Sequence, residues 1–211
     1  MKYPGELPRS RYPWKEIPGS SHDLLLSRVS SLGGGLAVLD VGFGAGHRAR
    51  RIRPHCRYLA GIELDPEAAL AGTAYFDDPL VDDVVHGLAG PWREPFDAVV
   101  AGDVLEHLPE PERALELLRP LLKPGGILLV SLPNVANVTV RLGLLVGRFP
   151  SADRGILDRT HLRFFTRKTG RELLVRAGFR VVNMLLLGLC GVTIAMLVEE
   201  GTTILKFFLH I

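Results

Sequence analysis

The chain has 211 residues, of which 47% are apolar and 23% charged, and a formal net charge of +2. That length suits one domain with a sizeable core, and that apolar share excludes a disordered chain. So small a charge excludes a polyelectrolyte held to nucleic acid by charge alone, and we expect no nucleic-acid partner. Its two cysteines, Cys56 and Cys190, lie far apart with no paired spacing, which predicts a reducing, cytoplasmic setting. The opening "MKYPGELPRSRYPWKEIPGSS" lacks the apolar run of a signal peptide.

Strand-like and helix-like segments alternate regularly. Ser20 to Leu32 reads as an amphipathic helix, and Leu36 to Val41 as a buried strand. His47 to Arg53 is a basic helical piece stopped by Pro54, and Tyr58 to Leu64 is a second strand. Asp65-Pro66 opens a helix to about Tyr75, with proline at the favoured first position. Val84 to Gly87 reads as a short third strand and Phe96 to Ala101 as a fourth. Pro109 to Leu122 reads as a helix closed by "KPGG", and Ile127 to Leu132 as the fifth strand. Lys168 to Ala177 is a helix ended by Gly178, and Phe179 to Leu187 a sixth strand.

From Val181 to Val198 the chain is almost wholly apolar, but Gly188 and Gly191 divide it into strand-sized pieces. We read buried strands there rather than a membrane span. The tail "TTILKFFLHI" reads as a last strand, with a peripheral membrane contact as the other use of so apolar a segment.

This rhythm predicts an α/β, doubly wound, mostly parallel seven-stranded sheet with helices on both faces. Residues 1–211 form one domain: a helical extension (1–35), a ligand-binding core (36–133), a cap (134–167) and a closing helix with strands (168–211). The cap follows the fifth strand, where a long structureless connection implies a function. It and the residues just beyond are strongly basic, with Arg141, Arg148, Arg154, Arg159, Arg163, Arg167, Lys168 and Arg171 against Asp153 and Asp158. Such a face is either merely solvated or attracts an anionic acceptor.

"VLDVGFGAGH" at residues 38–47 places Gly42, Gly44 and Gly46 on alternate positions behind the first strand. Ligands of doubly wound sheets bind at the carboxyl ends of the strands, where glycines permit a tight turn and close approach. The dinucleotide fingerprint wants a glycine or alanine at position 47, which here is histidine. Glu63 ends the second strand, where a carboxylate can take both hydroxyls of a ribose.

Together, "VLDVGFGAGH", "GIELDP" and "FDAVVAGDVLEHLPEPERALELLRPLLKPGGILLVSLPN" resemble class I S-adenosylmethionine-dependent methyltransferases of a Rossmann-like fold, similar to the ubiquinone-biosynthesis O-methyltransferases. The stretch "GRFPSADRGILDRTHLRFFT" further resembles bacterial methyltransferases associated with glycosyltransferases. The resemblance implies S-adenosylmethionine as cofactor, its methionine part held by Asp40 and the turn Gly42-Phe43-Gly44-Ala45-Gly46. It also implies Glu63 on the ribose, Leu64 and Leu88 beside the adenine, and Gly102 with Asp103 at the sulfonium end. Phe43 stands where the family usually has a small residue, and Leu88 where it often has an acid.

Methyl transfer to a hydroxyl needs alignment, exclusion of water and a base, and no metal-ligand spacing is visible among the scattered histidines. His161 in "DRTHLRFF" and His107 in "LEHL" are the candidate bases, and Asp158 stands three residues before His161 to orient it. Arg159 and Arg163 are candidates for holding a phosphate or carboxylate on the acceptor. The leading expectation is therefore O-methylation of a small-molecule, sugar-linked or lipid-linked acceptor. A nicotinamide oxidoreductase, a nucleic-acid methyltransferase and a non-catalytic cofactor-binding or partner domain are the rivals.

Overall fold

The computed structural model describes residues 20–88, 90–186 and 193–199. The first described element is α1 (Ser21–Ser31), capped by the Ser20 hydroxyl, which accepts from the Asp23 amide. Then follow β1 (Leu36–Val41), α2 (His47–Ile52), β2 (Cys56–Glu63), α3 (Pro66–Gly72), β3 (Asp78–Val81) and α4 (Val84–Gly87). The second half carries β4 (Phe96–Gly102), α5 (Pro111–Leu118), β5 (Leu122–Pro133), α6 (Val138–Leu145), α7 (Arg167–Arg176), β6 (Arg180–Leu186) and β7 (Thr193–Glu199).

The strand order is β3-β2-β1-β4-β5-β7-β6. The parallel part is five strands, β3 to β5. The sheet is then extended by β7, antiparallel to both β5 and β6. The apolar piece split by Gly188 and Gly191 thus contributes a strand pair; Leu187, both those glycines and the tail expected as a last strand lie outside the described residues.

Alternation along each strand builds two cores. Ala37, Leu39 and Val41 of β1 face one side, with Leu115 and Leu118 of α5 and Leu174 of α7. Leu36 and Val38 face the other, with Leu25 and Val29 of α1, Ala49 and Ile52 of α2 and Ala69 of α3. Asp40 shares the parity of Val38, so its carboxylate is driven toward α1 and α2. Register then fixes the site: Val41 pairs with Ile62 and Ala101, and Gly102 with Ser131, so the carboxyl ends of β1, β2, β4 and β5 lie side by side.

Two sequence expectations are corrected. Residues 84–87 form a helix, not a strand, because the Asp83 side chain accepts from the Val85 amide and caps it. The third strand is Asp78–Val81, on the sheet edge, where Pro79 needs no ladder donor. The segment "KPGG" does not close a helix either. It lies inside β5 at a register shift between Phe96↔Leu122 and Ala98↔Ile127, with Gly125 at φ +77°.

Candidate active site

The glycine turn leaves β1 with Gly42 at φ +65° and Gly44 at φ +54°, conformations that favour glycine. A Cβ on Gly42 would lie 2.7 Å from Val104 Cγ2, so the turn presses against the segment that follows β4. A Cβ on Gly44 would meet nothing within 4 Å, leaving bare backbone beside open space. The Gly44 amide donates to Glu63 Oε2 at 2.7 Å, and the Asp65 amide to Oε1 at 2.9 Å. Two backbone donors therefore lock the Glu63 carboxylate against the turn, and each oxygen keeps a lone pair for a further donor.

Phe43 turns inward and is 4% exposed, its ring 4.4 Å from that of Phe76. Two glycines make the room: a Cβ on Gly61 would lie 2.7 Å, and one on Gly72 3.0 Å, from the Phe43 ring. A bulky residue in the turn is thus compatible with a thin backbone above it. Leu64 is exposed at the end of β2, while Leu88 is buried in the core on the far side of the sheet from Val38.

Beneath the turn, Asp40 and Arg48 form a buried ion pair that sequence reasoning missed. Arg48 donates through Nε at 2.7 Å and through Nη2 to Asp40 Oδ1, and also to the carbonyls of Val41 (3.1 Å) and Gly42 (3.2 Å). Asp40 Oδ2 is buried with no hydrogen-bond partner. Burial raises the Asp40 carboxyl above its usual value, and the Arg48 guanidinium opposes that rise.

After β4 the backbone is strained, with Asp103 at φ +55°. Ser131 at the end of β5 holds it there: its hydroxyl donates to Asp103 Oδ1 at 2.7 Å and accepts from the Asp103 amide at 2.9 Å. His22 of α1 reaches Asp103 Oδ2 at 3.5 Å, so the first described helix also lines this end of the sheet.

The cap folds back on the turn that follows. The Glu106 carbonyl accepts from the amides of Leu162 (2.9 Å) and Arg163 (3.0 Å), and Arg163 Nε donates to the Pro109 carbonyl at 3.1 Å. This strap brings His161 against His107, rings edge to face with centroids 4.9 Å apart. His107 Nδ1 meets the Thr160 carbonyl at 3.2 Å, and His161 Nδ1 meets the Ile156 carbonyl at 3.1 Å. A carbonyl only accepts, so both Nδ1 atoms carry the proton, and in the neutral rings the Nε2 atoms carry the lone pair. Asp158, expected to orient His161, accepts at Oδ1 from the amide (2.8 Å) and hydroxyl (2.7 Å) of Thr160.

Burial lowers the His161 pKa from its usual value, with the neighbouring His107 acting in the same direction. The Glu106 carboxyl is fully buried, neither oxygen has a hydrogen-bond partner, and burial raises its pKa well above the usual range. Ligand-type atoms of Glu106, His107 and His161 lie within 4.8 Å of one another, a cluster suited to holding a proton or a cation. Linear spacing hid it because its third member arrives from the cap. Arg159 pairs with Asp153 at 3.2 Å on the cap surface.

A family model described as a methyltransferase domain matches residues 18–184. The chain is 31% identical over 117 residues to a ubiquinone biosynthesis O-methyltransferase of Xylella fastidiosa, covering 53% of this chain and 47% of that protein. It is 30% identical over 167 residues to a probable S-adenosylmethionine-dependent methyltransferase of Mycolicibacterium smegmatis, covering 78% of this chain and 60% of that one. The chain thus spans about half the length of the curated relatives it matches. Among solved structures, the magnesium protoporphyrin IX methyltransferase of Synechocystis with bound SAH is similar in fold, with a TM-score of 0.66 at 17% identity over 86% of this chain and 82% of that one. The [4+2]-cyclase SpnF has the same TM-score, at 20% identity over the same shares.

Proposed function

The chain belongs to the methyltransferase-domain family, and from that premise we propose that it transfers a methyl group from S-adenosylmethionine to an oxygen of a small-molecule, sugar-linked or lipid-linked acceptor. The observation that carries this reading is the Glu63 carboxylate, pinned by two amides beside the open backbone of Gly44. A carboxylate so fixed suits the two hydroxyls of a ribose. The unpartnered Asp40 Oδ2 suits a cationic donor such as an ammonium.

In this reading Asp40, Gly42, Gly44, Gly46 and the Phe43 backbone hold the methionine part. Glu63 holds the ribose, Leu64 borders the adenine, and Gly102 with Asp103 border the sulfonium. Leu88, expected beside the adenine after a third strand at residues 84–87, is buried in the core beyond α4 and is not assigned there. The cofactor supplies a methyl group on a positively charged sulfur. Everything else falls to the protein: His161, neutral near pH 7 with its Nε2 lone pair available, accepts the acceptor's hydroxyl proton while the cap keeps water out. His107 offers the same tautomer as the second candidate. Arg159 and Arg163 give the cap positive charge toward an anionic acceptor, although Arg163 also ties the cap to Pro109.

Several relatives are ubiquinone biosynthesis O-methyltransferases, which supports oxygen as the accepting atom. No helix among the described residues is long and apolar enough to cross a membrane. The two widely spaced cysteines of the sequence support a reducing, cytoplasmic setting. The test is transfer of labelled methyl from S-adenosylmethionine to quinols, sugar nucleotides and lipid extracts. Label recovered in an alkali-stable ether is expected, and label confined to amines would overturn the oxygen assignment.

A further inference from the structure

Twelve large hydrophobic side chains are exposed among the described residues, and eight of them fall between positions 138 and 164. Exposed apolar residues scattered singly need no explanation, but a cluster does. Here Val138, Leu142 and Leu145 recur at helical spacing along α6, and Val146, Phe149 and Phe164 continue the patch beyond it. Leu145 is 81% and Leu142 59% exposed, while Val140 alone anchors the helix in the interior.

The same segment is basic. Arg141 lies on the apolar stripe between Val138 and Leu145, and Arg148 and Arg154 follow, all exposed. Of the cap's two acids, Asp153 is paired with Arg159 and Asp158 is buried. Apolar side chains mixed with unopposed cations fit one surface above others. A second copy of this chain would set arginine against arginine across a two-fold contact. A nucleic acid would satisfy the arginines but leave the leucines and valines without a partner.

We propose that α6 and the adjoining cap residues dock on an anionic lipid bilayer, with the apolar stripe in the headgroup layer and the arginines on lipid phosphates. The helix lies in the interface and does not span it. The docked face leads to the site: the Phe149 and Phe164 rings are 5.6 Å apart, Phe164 and His161 6.4 Å, and His161 and His107 4.9 Å. An acceptor carried by a lipid would therefore reach the histidines without leaving the membrane surface. This names a partner for the reading above, and it stands or falls independently of the transfer chemistry, because binding to lipid needs no cofactor.

The test is sedimentation of the full chain with vesicles of phosphatidylcholine alone and with phosphatidylglycerol added. Binding is expected to be at least about tenfold stronger on the anionic vesicles and to weaken at high salt. Leu142→Glu with Leu145→Glu is expected to abolish it with an unchanged melting temperature, since both side chains are largely exposed. Arg141→Gln and Arg148→Gln are each expected to weaken it by roughly fivefold. Equal binding of the Leu142→Glu/Leu145→Glu chain, or no preference for anionic vesicles, would overturn the proposal. So would a lipid-free dimer in sedimentation velocity that the same pair of substitutions dissolves, since the face would then be a contact between copies.

Discussion

Arg48 holds Asp40 in a buried ion pair directly under the glycine turn, and the same guanidinium reaches the carbonyls of Val41 and Gly42. One side chain thus satisfies an interior acid and braces the start of the bare backbone. Removing one partner of such a pair leaves an uncompensated charge in the interior. We expect Arg48→Met to destabilise the fold by about 3–5 kcal/mol, read from the urea midpoint. Asp40→Asn added to Arg48→Met should recover much of that loss. A double variant no more stable than the single would show that Arg48 acts by packing alone.

Phe43 and Gly61 form a second coupled pair. A methyl group on Gly61 would lie 2.5 Å from the Phe76 ring and 2.7 Å from that of Phe43. Gly61→Ala should therefore cost about 1–3 kcal/mol by overpacking. Phe43→Ala should cost less in the Gly61→Ala background than alone, because the small side chain relieves part of the clash. Additive losses in a thermal melt would contradict this packing.

The backbone geometry of the candidate site was legible in the sequence because it rests on short-range chemistry. The alternate glycines predicted a tight turn behind β1, and Glu63 a carboxylate at the end of β2, and the two meet through the Gly44 amide. What escaped needed the third dimension. Arg48 reads as one more cation in "HRARRI" until α2 turns it toward β1. Phe43 reads as an obstacle until Gly61 and Gly72 are seen to make room for it. The pair Val84 and Val85 reads as a strand because β-branched residues suit sheets, yet the Asp83 cap and the free edge beside β2 decide otherwise.

Two histidines make stability depend on pH. Burial lowers the pKa of His47, aided by Arg51 and Arg50, and burial likewise lowers that of His161. Below the unfolded value of about 6.5 the unfolded chain binds protons at these two sites that the folded chain refuses, so each histidine contributes stability that rises with pH through this window, while the raised Glu106 carboxyl works in the opposite sense. We expect the melting temperature of the His47→Gln chain to have a less positive slope against pH below about 6.5 than that of the parent chain. A slope unchanged in the His47→Gln chain would contradict the assignment.

In the proposed transfer, with His161 as base, the same lowered pKa sets the pH profile. A base that is already neutral near pH 7 gives a rate that stays flat until the pH falls below the usual histidine value. His161→Ala should reduce kcat by roughly 10²–10⁴-fold, with little change in affinity for the cofactor. Full turnover by that variant would pass the role to His107.

The central claim is that the turn and Glu63 form a seat for S-adenosylmethionine. Calorimetric titration of the chain and of Glu63→Ala with S-adenosylhomocysteine and with NAD tests it most directly. We predict binding of S-adenosylhomocysteine but not of NAD, weakened by about tenfold or more in Glu63→Ala as a charge-assisted hydrogen bond is lost. Tight NAD binding with no uptake of S-adenosylhomocysteine, or equal affinity in the variant, would contradict it.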